Sequence, residues 1–177
     1  MLRRREFILL AFGPVLLRES ALAVPLDAPN PVEISPSLMT SGQPSPKALA
    51  GLGALGVQAV IYLAPSSVSD AVKNEPELLE RQGIEFVHIP IPFDAPKEEH
   101  FVAVSEALVR LKEKKVLVHC QVNLRASTMV FLHRVITLKE EPTRTYEAVS
   151  RVWSPEGAWR DLVNQQLKKH KIAFQPL

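Results

Sequence analysis

Cys120 and Arg125 stand on either side of Gln121-Val122-Asn123-Leu124, directly after the apolar run Val116-Leu117-Val118-His119. Thiolate is the reactive form of cysteine, and a nearby cation stabilises it. A guanidinium presents a planar fork that matches two oxygens of a phosphate or similar anion. Together the pair could hold an anionic group and attack it. Backbone amides in the intervening loop, with the start of the helix that follows, would point into the same space and favour negative charge there. Asn123 suits such a loop, because inward-turned amides need a residue that tolerates positive φ, as Asn does after Gly. Cys120 is therefore the candidate nucleophile, and Gln121, Val122, Asn123 and Leu124 are candidate substrate-binding residues. Ser127 could donate to the sulfur or merely occupy the first helical turn. Asp94, in the proline-rich stretch from Pro90 to Pro96, is the candidate general acid; otherwise it caps the next helix. A general acid must hold its proton near working pH, which calls for burial or a neighbouring charge. The bland alternative makes Cys120 an inert buried residue and Arg125 a solvated one.

The elements that must carry these groups are legible from pattern. Ser45 caps a helix with Pro46 at its first position and Leu49, Leu52 and Leu55 on one face, ending at Gly56. Val57 to Leu63 reads as a strand, Asn74 to Gln82 as a short helix stopped by Gly83, and Glu85 to Ile91 as a second strand. A helix follows from about Lys97 to Glu113, then a third strand at Lys115 to His119, apolar enough to be central. Helices are expected from about Arg125 to Leu138, Thr143 to Trp153 and Ala158 to Lys169. Alternating strands and helices predict an α/β fold: a small, mostly parallel sheet with helices on both faces. Ligands of such sheets bind at the carboxyl ends of the strands, where Cys120 falls.

The chain has 177 residues, with 46% hydrophobic and 23% charged content, which suits one ordinary domain. Residues 1–23 read as an export signal: Arg3, Arg4 and Arg5, an apolar core from Ile8 to Leu17, and Ala21-Leu22-Ala23 for cleavage. Arg4-Arg5-Glu6-Phe7-Ile8-Leu9 is also similar to a twin-arginine signal. The apolar core is too short to span a bilayer, so the mature protein is expected in the periplasm or secreted, without stable membrane association. Residues 24–37, rich in proline, predict an extended, irregular lead-in, and residues 38–177 the domain. Removing residues 1–23 takes the formal charge from +2 to zero, which speaks against a nucleic-acid partner. With a single cysteine no internal disulfide is possible, and a lone thiol in an oxidising compartment invites a functional reading. His88, His100, His133 and His170 show no metal-ligand spacing, and no cofactor is implied. Trp153 and Trp159 read as packing residues, and His119 as a loop-holding residue facing away from the pocket.

Val116 to Cys120, Arg125 to Ser127, and Val87-His88-Ile89-Pro90-Ile91 followed by Asp94-Ala95-Pro96 resemble the dual-specificity branch of the cysteine-dependent protein tyrosine phosphatases. Ser41-Gly42-Gln43-Pro44-Ser45 and Val60-Ile61-Tyr62-Leu63 are similar to a bacterial subgroup, the phosphatase domain of beta-lactamase-hydrolase-like proteins. The resemblance spans roughly residues 38–165. It implies a phosphate ester substrate, small or on a protein. Cys120 would attack phosphorus, Arg125 and the loop amides would hold oxygens, and Asp94 would protonate the leaving group. The loop departs from the family pattern, which has five residues between Cys and Arg and Gly third after Cys. Counted without a gap, Ala126 falls where that arginine belongs and Ser127 where the hydroxyl belongs. The alternative is a tightened loop with Arg125 still aimed inward. One residue turns a helical side chain by about 100°, so the two arrangements exclude each other. A six-residue loop also resembles the rhodanese-type sulfurtransferases, whose cysteine carries a persulfide. A third reading is a domain that binds an anion or phosphorylated partner without turnover.

Overall fold

The computed structural model describes residues 26–176. The expected export segment lies outside them.

Five strands form one sheet in the order β1-β2-β5-β3-β4, with β1 (Val32–Ser35), β2 (Leu38–Ser41), β3 (Ala59–Tyr62), β4 (Glu85–His88) and β5 (Val116–His119). Only β1 runs antiparallel to its neighbour; β2, β5, β3 and β4 are mutually parallel. The expected mostly parallel α/β fold is the one observed, and the third strand of the sequence reading is its centre. All four residues of β5 are buried, which is why the run is apolar without alternation.

Helices cover both faces. On one side α1 (Pro46–Ala50) and α2 (Glu75–Glu80) pack Leu49, Leu52 and Leu79 onto Val60 and Leu117. On the other, α3 (Glu98–Arg110), α4 (Leu124–Ile136), α5 (Pro142–Ser150) and α6 (Gly157–Lys169) join Ile61, Val118 and Cys120 in the larger core. Val118 and Cys120 thus face α4, while Leu117 faces the other layer.

Two differences from the sequence reading have local causes. The extended lead-in is a paired edge strand: Pro36 and Ser37 make the turn that folds Val32–Ser35 back onto Leu38–Ser41. The expected helix from Pro46 to Leu55 breaks after Ala50, where Gly51 and Gly53 weaken it, and resumes as a 3-10 turn over Gly53–Leu55. Gly56, at φ 76°, closes that turn as expected.

Candidate active site

Across the carboxyl end of the sheet, Ser41, His119, Tyr62 and His88 lie in one transverse row set by the parallel registers. Cys120 is one residue beyond that row. Its amide donates to the Ser41 carbonyl at 3.2 Å and its side chain is 0% exposed. The chain then turns through Gln121 and Val122 to Asn123, whose φ of 72° is the left-handed conformation its type suggested, and enters α4 at Leu124. Among the described residues, the amides of Gln121, Val122, Leu124, Arg125 and Ala126 donate to no backbone carbonyl. A turn of unpaired amides opening a helix is an anion-binding concavity.

The turn is held from outside. Asn123 Nδ2 donates to the Asn30 carbonyl at 2.6 Å and to Thr40 Oγ1 at 3.1 Å, while Asn30 Nδ2 donates to the Val122 carbonyl at 3.0 Å. The Gln43 amide donates to the Gln121 carbonyl at 2.9 Å. Gly42 makes this approach feasible: a Cβ there would lie 2.6 Å from the Gln121 oxygen and 2.7 Å from Pro29 Cβ.

Arg125 is 4% exposed. Its Nε donates to the Ile91 carbonyl at 2.9 Å, Nη1 reaches Gln121 Oε1 at 3.4 Å, and its guanidinium lies 5.0 Å from the centre of the Phe93 ring. No carboxylate pairs with it among the described residues. Arg125 turns toward the loop after β4, whereas Ala126 sits fully buried in the core. Gln121 also donates through Nε2 to Asp70 Oδ1 at 2.8 Å, so its side chain links Arg125 to the loop after β3.

Asp94 is exposed, in the turn after Phe93, with no hydrogen bond among those of the described residues. Its loop is nonetheless tied to the site, because Ile91 and Phe93 hold Arg125 and the Phe93 carbonyl accepts from Trp159 Nε1 at 2.7 Å. Ser127 does not reach the sulfur: its hydroxyl donates to the Asn123 carbonyl at 2.7 Å, with Leu124 as a longer second acceptor, so it braces the first turn of α4. Val122 is exposed, and Leu124 supplies the first helical amide. Trp153 and Trp159 pack against each other and Phe93, as expected of packing residues.

His119 points away from α4, as its place in β5 requires. Its Nε2 meets Glu75 Oε1 at 2.7 Å, and Gln43 Nε2 donates to Glu75 Oε2 at 2.9 Å. The Tyr62 ring stacks on His119 at 4.7 Å and on His88 at 5.0 Å. Burial, followed by the Glu75 carboxylate, pushes the Tyr62 phenol up to about 12. Gln43, Glu75, Asp70 and Asn30 were not singled out as site residues from sequence. Gln43 and Asn30 fall in Pro-flanked turns, and nothing in a loop Asp or first-turn Glu marks it as reaching a strand end.

Among the described residues no cluster of three His, Cys, Asp or Glu could hold a metal, and no helix is long and apolar enough to cross a membrane. A cleft of about 480 Å³ lies at the opposite end of β5 from Cys120, with Leu38, Leu108 and Val116 in its walls and Lys112, Lys114 and Arg134 among its polar lining.

No protein-family model and no curated protein matches the chain. Solved structures do. A candidate phosphatase of the DUF442 group from Shewanella putrefaciens CN-32 is 29% identical, with a TM-score of 0.72 over 80% of this chain and 91% of that one. The active form of Tk-PTP is 23% identical, with a TM-score of 0.62 over 82% of this chain and 99% of that one. TpbA of P. aeruginosa is 18% identical, with a TM-score of 0.63 over 84% and 96%. The solved structures it resembles are cysteine-dependent phosphatases of the tyrosine and dual-specificity type, and this chain has their fold.

Proposed function

We propose that the protein is a phosphoric monoester hydrolase in which Cys120 attacks phosphorus and carries the phosphoryl group as a phosphocysteine. The observation that carries the reading is Arg125: a buried guanidinium without a carboxylate partner among the described residues, in contact with Gln121 of the turn of unpaired amides that follows Cys120. A buried cation left unpaired is unfavourable, and an anion bound there would relieve it. The amides of Gln121, Val122, Leu124 and Arg125 would hold the equatorial oxygens, and Arg125 would add its Nη atoms, Nε being committed to Ile91. Asp94, on the loop that clasps Arg125, would protonate the leaving oxygen; closure of that loop would bring it over the sulfur. Water would then displace the cysteine and release phosphate. A small aryl phosphate or a phosphorylated protein side chain would fit this chemistry. Export directed by residues 1–23, as their pattern suggests, would put the reaction in the periplasm or outside the cell.

The mature protein is expected to hydrolyse a small aryl phosphate, Cys120→Ser to abolish turnover, and Asp94→Asn to lower it by about 10²-fold. Turnover no greater than that of Cys120→Ser from mildly acidic to neutral pH would refute the reading. One observation favours a second reading, anion binding without turnover: the Cys120 side chain is wholly covered. Vanadate or phosphate would then raise the melting temperature while no ester is cleaved. Thiocyanate formation from thiosulfate and cyanide would instead indicate sulfur transfer.

A further inference from the structure

The cleft at the far end of β5 takes no part in the proposed chemistry. It opens where Leu38 and Val116, the paired first residues of β2 and β5, meet the carboxyl ends of α3 and α4. Leu108, Leu111 and Val116 belong to the larger core, yet here they border open space. Val109 and Leu138, which also line the cleft, are 47% and 52% exposed, so the apolar lining continues out to the surface. Apolar surface that runs without a break into a concavity is characteristic of a ligand site. The volume, about 480 Å³, lies within the range of roughly 300–1,000 Å³ found for small-molecule sites. A helix about 10 Å across would be admitted for little more than one turn, whereas a single extended hydrocarbon chain is far narrower.

The polar part of the lining is one-sided in charge. Lys112, Lys114 and Arg134 face a single acidic residue, Glu140. Cations at the carboxyl end of a helix have a structural use, since they offset the helix dipole. Two of these three are also paired: Lys114 Nζ lies 2.7 Å from Glu85 Oε2, and Arg134 Nη2 lies 2.6 Å from Glu140 Oε2. Lys112 has no carboxylate partner among the described residues. Glu85 is shared with Arg110, so Arg110, Lys112, Lys114 and Arg134 against Glu85 and Glu140 leave a formal excess of two positive charges. The hydroxyls of Ser35 and Ser37, 3.3 Å apart in the same lining, offer neutral donors besides. We propose that this cleft is a second ligand site, for an amphipathic anion: the chain of a fatty acid lies along Leu38, Leu108, Leu111 and Val116, and its carboxylate meets Lys112. The 13 residues of α4, about 20 Å of helix, separate this site from the anion turn. The assignment is therefore independent of the role of Cys120.

Calorimetric titration of the full chain with straight-chain carboxylates, kept below micelle formation, tests it. Burial of each further methylene strengthens binding about threefold to fourfold, so Kd is expected to fall by roughly tenfold from octanoate to decanoate. Decyltrimethylammonium carries the same chain with the opposite head charge and should bind about tenfold more weakly than decanoate, or worse. Lys112 is exposed and unpaired and Val109 is half exposed, so Lys112→Glu and Val109→Glu are expected to melt as the wild type does. Each should weaken decanoate by about tenfold, the first by reversing the cation and the second by setting a like charge beside the carboxylate. An affinity indifferent to chain length, equal binding of the cationic chain, or unchanged binding in both folded variants would overturn the proposal. Displacement of decanoate by vanadate would overturn it too, by locating the carboxylate at the anion turn. Binding to vesicles of anionic phospholipid with none to decanoate would make this face a membrane contact and overturn it equally. None of these readouts requires phosphate ester cleavage, so failure of the phosphatase reading and failure of this one are distinguishable.

Discussion

At the scale of single residues, the site depends on a guanidinium fixed by three neighbours that are not its substrate. Arg125 gives Nε to the Ile91 carbonyl, one Nη to Gln121 and one face to Phe93, which leaves the remaining donors free for an anion. Lysine could keep the charge but could neither bond Ile91 while presenting further donors nor stack on Phe93. Arg125→Lys is therefore expected to lower kcat/KM by about 10²-fold or more with little change in melting temperature, checked by steady-state kinetics alongside thermal unfolding. Asn123 shows how far residue type alone could reach. Its need for positive φ was readable, and φ is 72°. The bonds that make Asn better than Gly there run to Asn30 and Thr40, more than eighty positions away, where sequence pattern has no purchase. Glu75 was hidden for the same reason: its contact with His119 comes from where α2 lands against β5.

Among the elements, β5 and α4 do most of the positioning. β5 ends at Cys120, the proposed nucleophile, and α4 begins with the loop of unpaired amides and ends in a polar seam with α3, where Ser105 Oγ lies 2.9 Å from His133 Nδ1 and 2.8 Å from Thr137 Oγ1. Burial holds His133 below the ordinary imidazole range. The folded state thus binds its proton less readily than the unfolded chain. Its stabilising contribution is complete above the unfolded value of about 6.5 and is lost as pH falls through the lower folded value. The melting temperature is expected to fall between about pH 7 and pH 5, and His133→Gln to reduce that fall. His100, also lowered by burial, leaves a residual dependence. The long helices and the apolar strands β3 and β5 were legible because burial imposes their periodicity or their continuous apolar run. β1 and β2 were not: Val32–Ser35 and Leu38–Ser41 are short, partly exposed and split by Pro36, and their pairing defines them more than their composition does.

For the whole molecule, the segment ahead of the sheet matters more than its proline content suggested. Leu26 is buried in the smaller core, Asp27 accepts from the Ser45 hydroxyl at 2.6 Å, and Pro29 and Asn30 bond to Gly42 and the anion loop. Cleavage after Ala23, as the export reading expects, spares every one of these contacts. A protein starting at Val24 is expected to melt within about a degree of the full chain, whereas one starting at Pro31 should lose several degrees and most of its phosphate-dependent stabilisation. Equal stability of the two truncations would show that the segment does not brace the loop.

The central claim is that Cys120 carries the phosphoryl group, and intact-protein mass spectrometry after rapid quench during turnover of an aryl phosphate tests it most directly. One added phosphoryl group is expected on the peptide containing Cys120, and none in Cys120→Ser. Steady turnover with that peptide unmodified, or with a sulfur atom added in place of the phosphoryl group, would contradict the account.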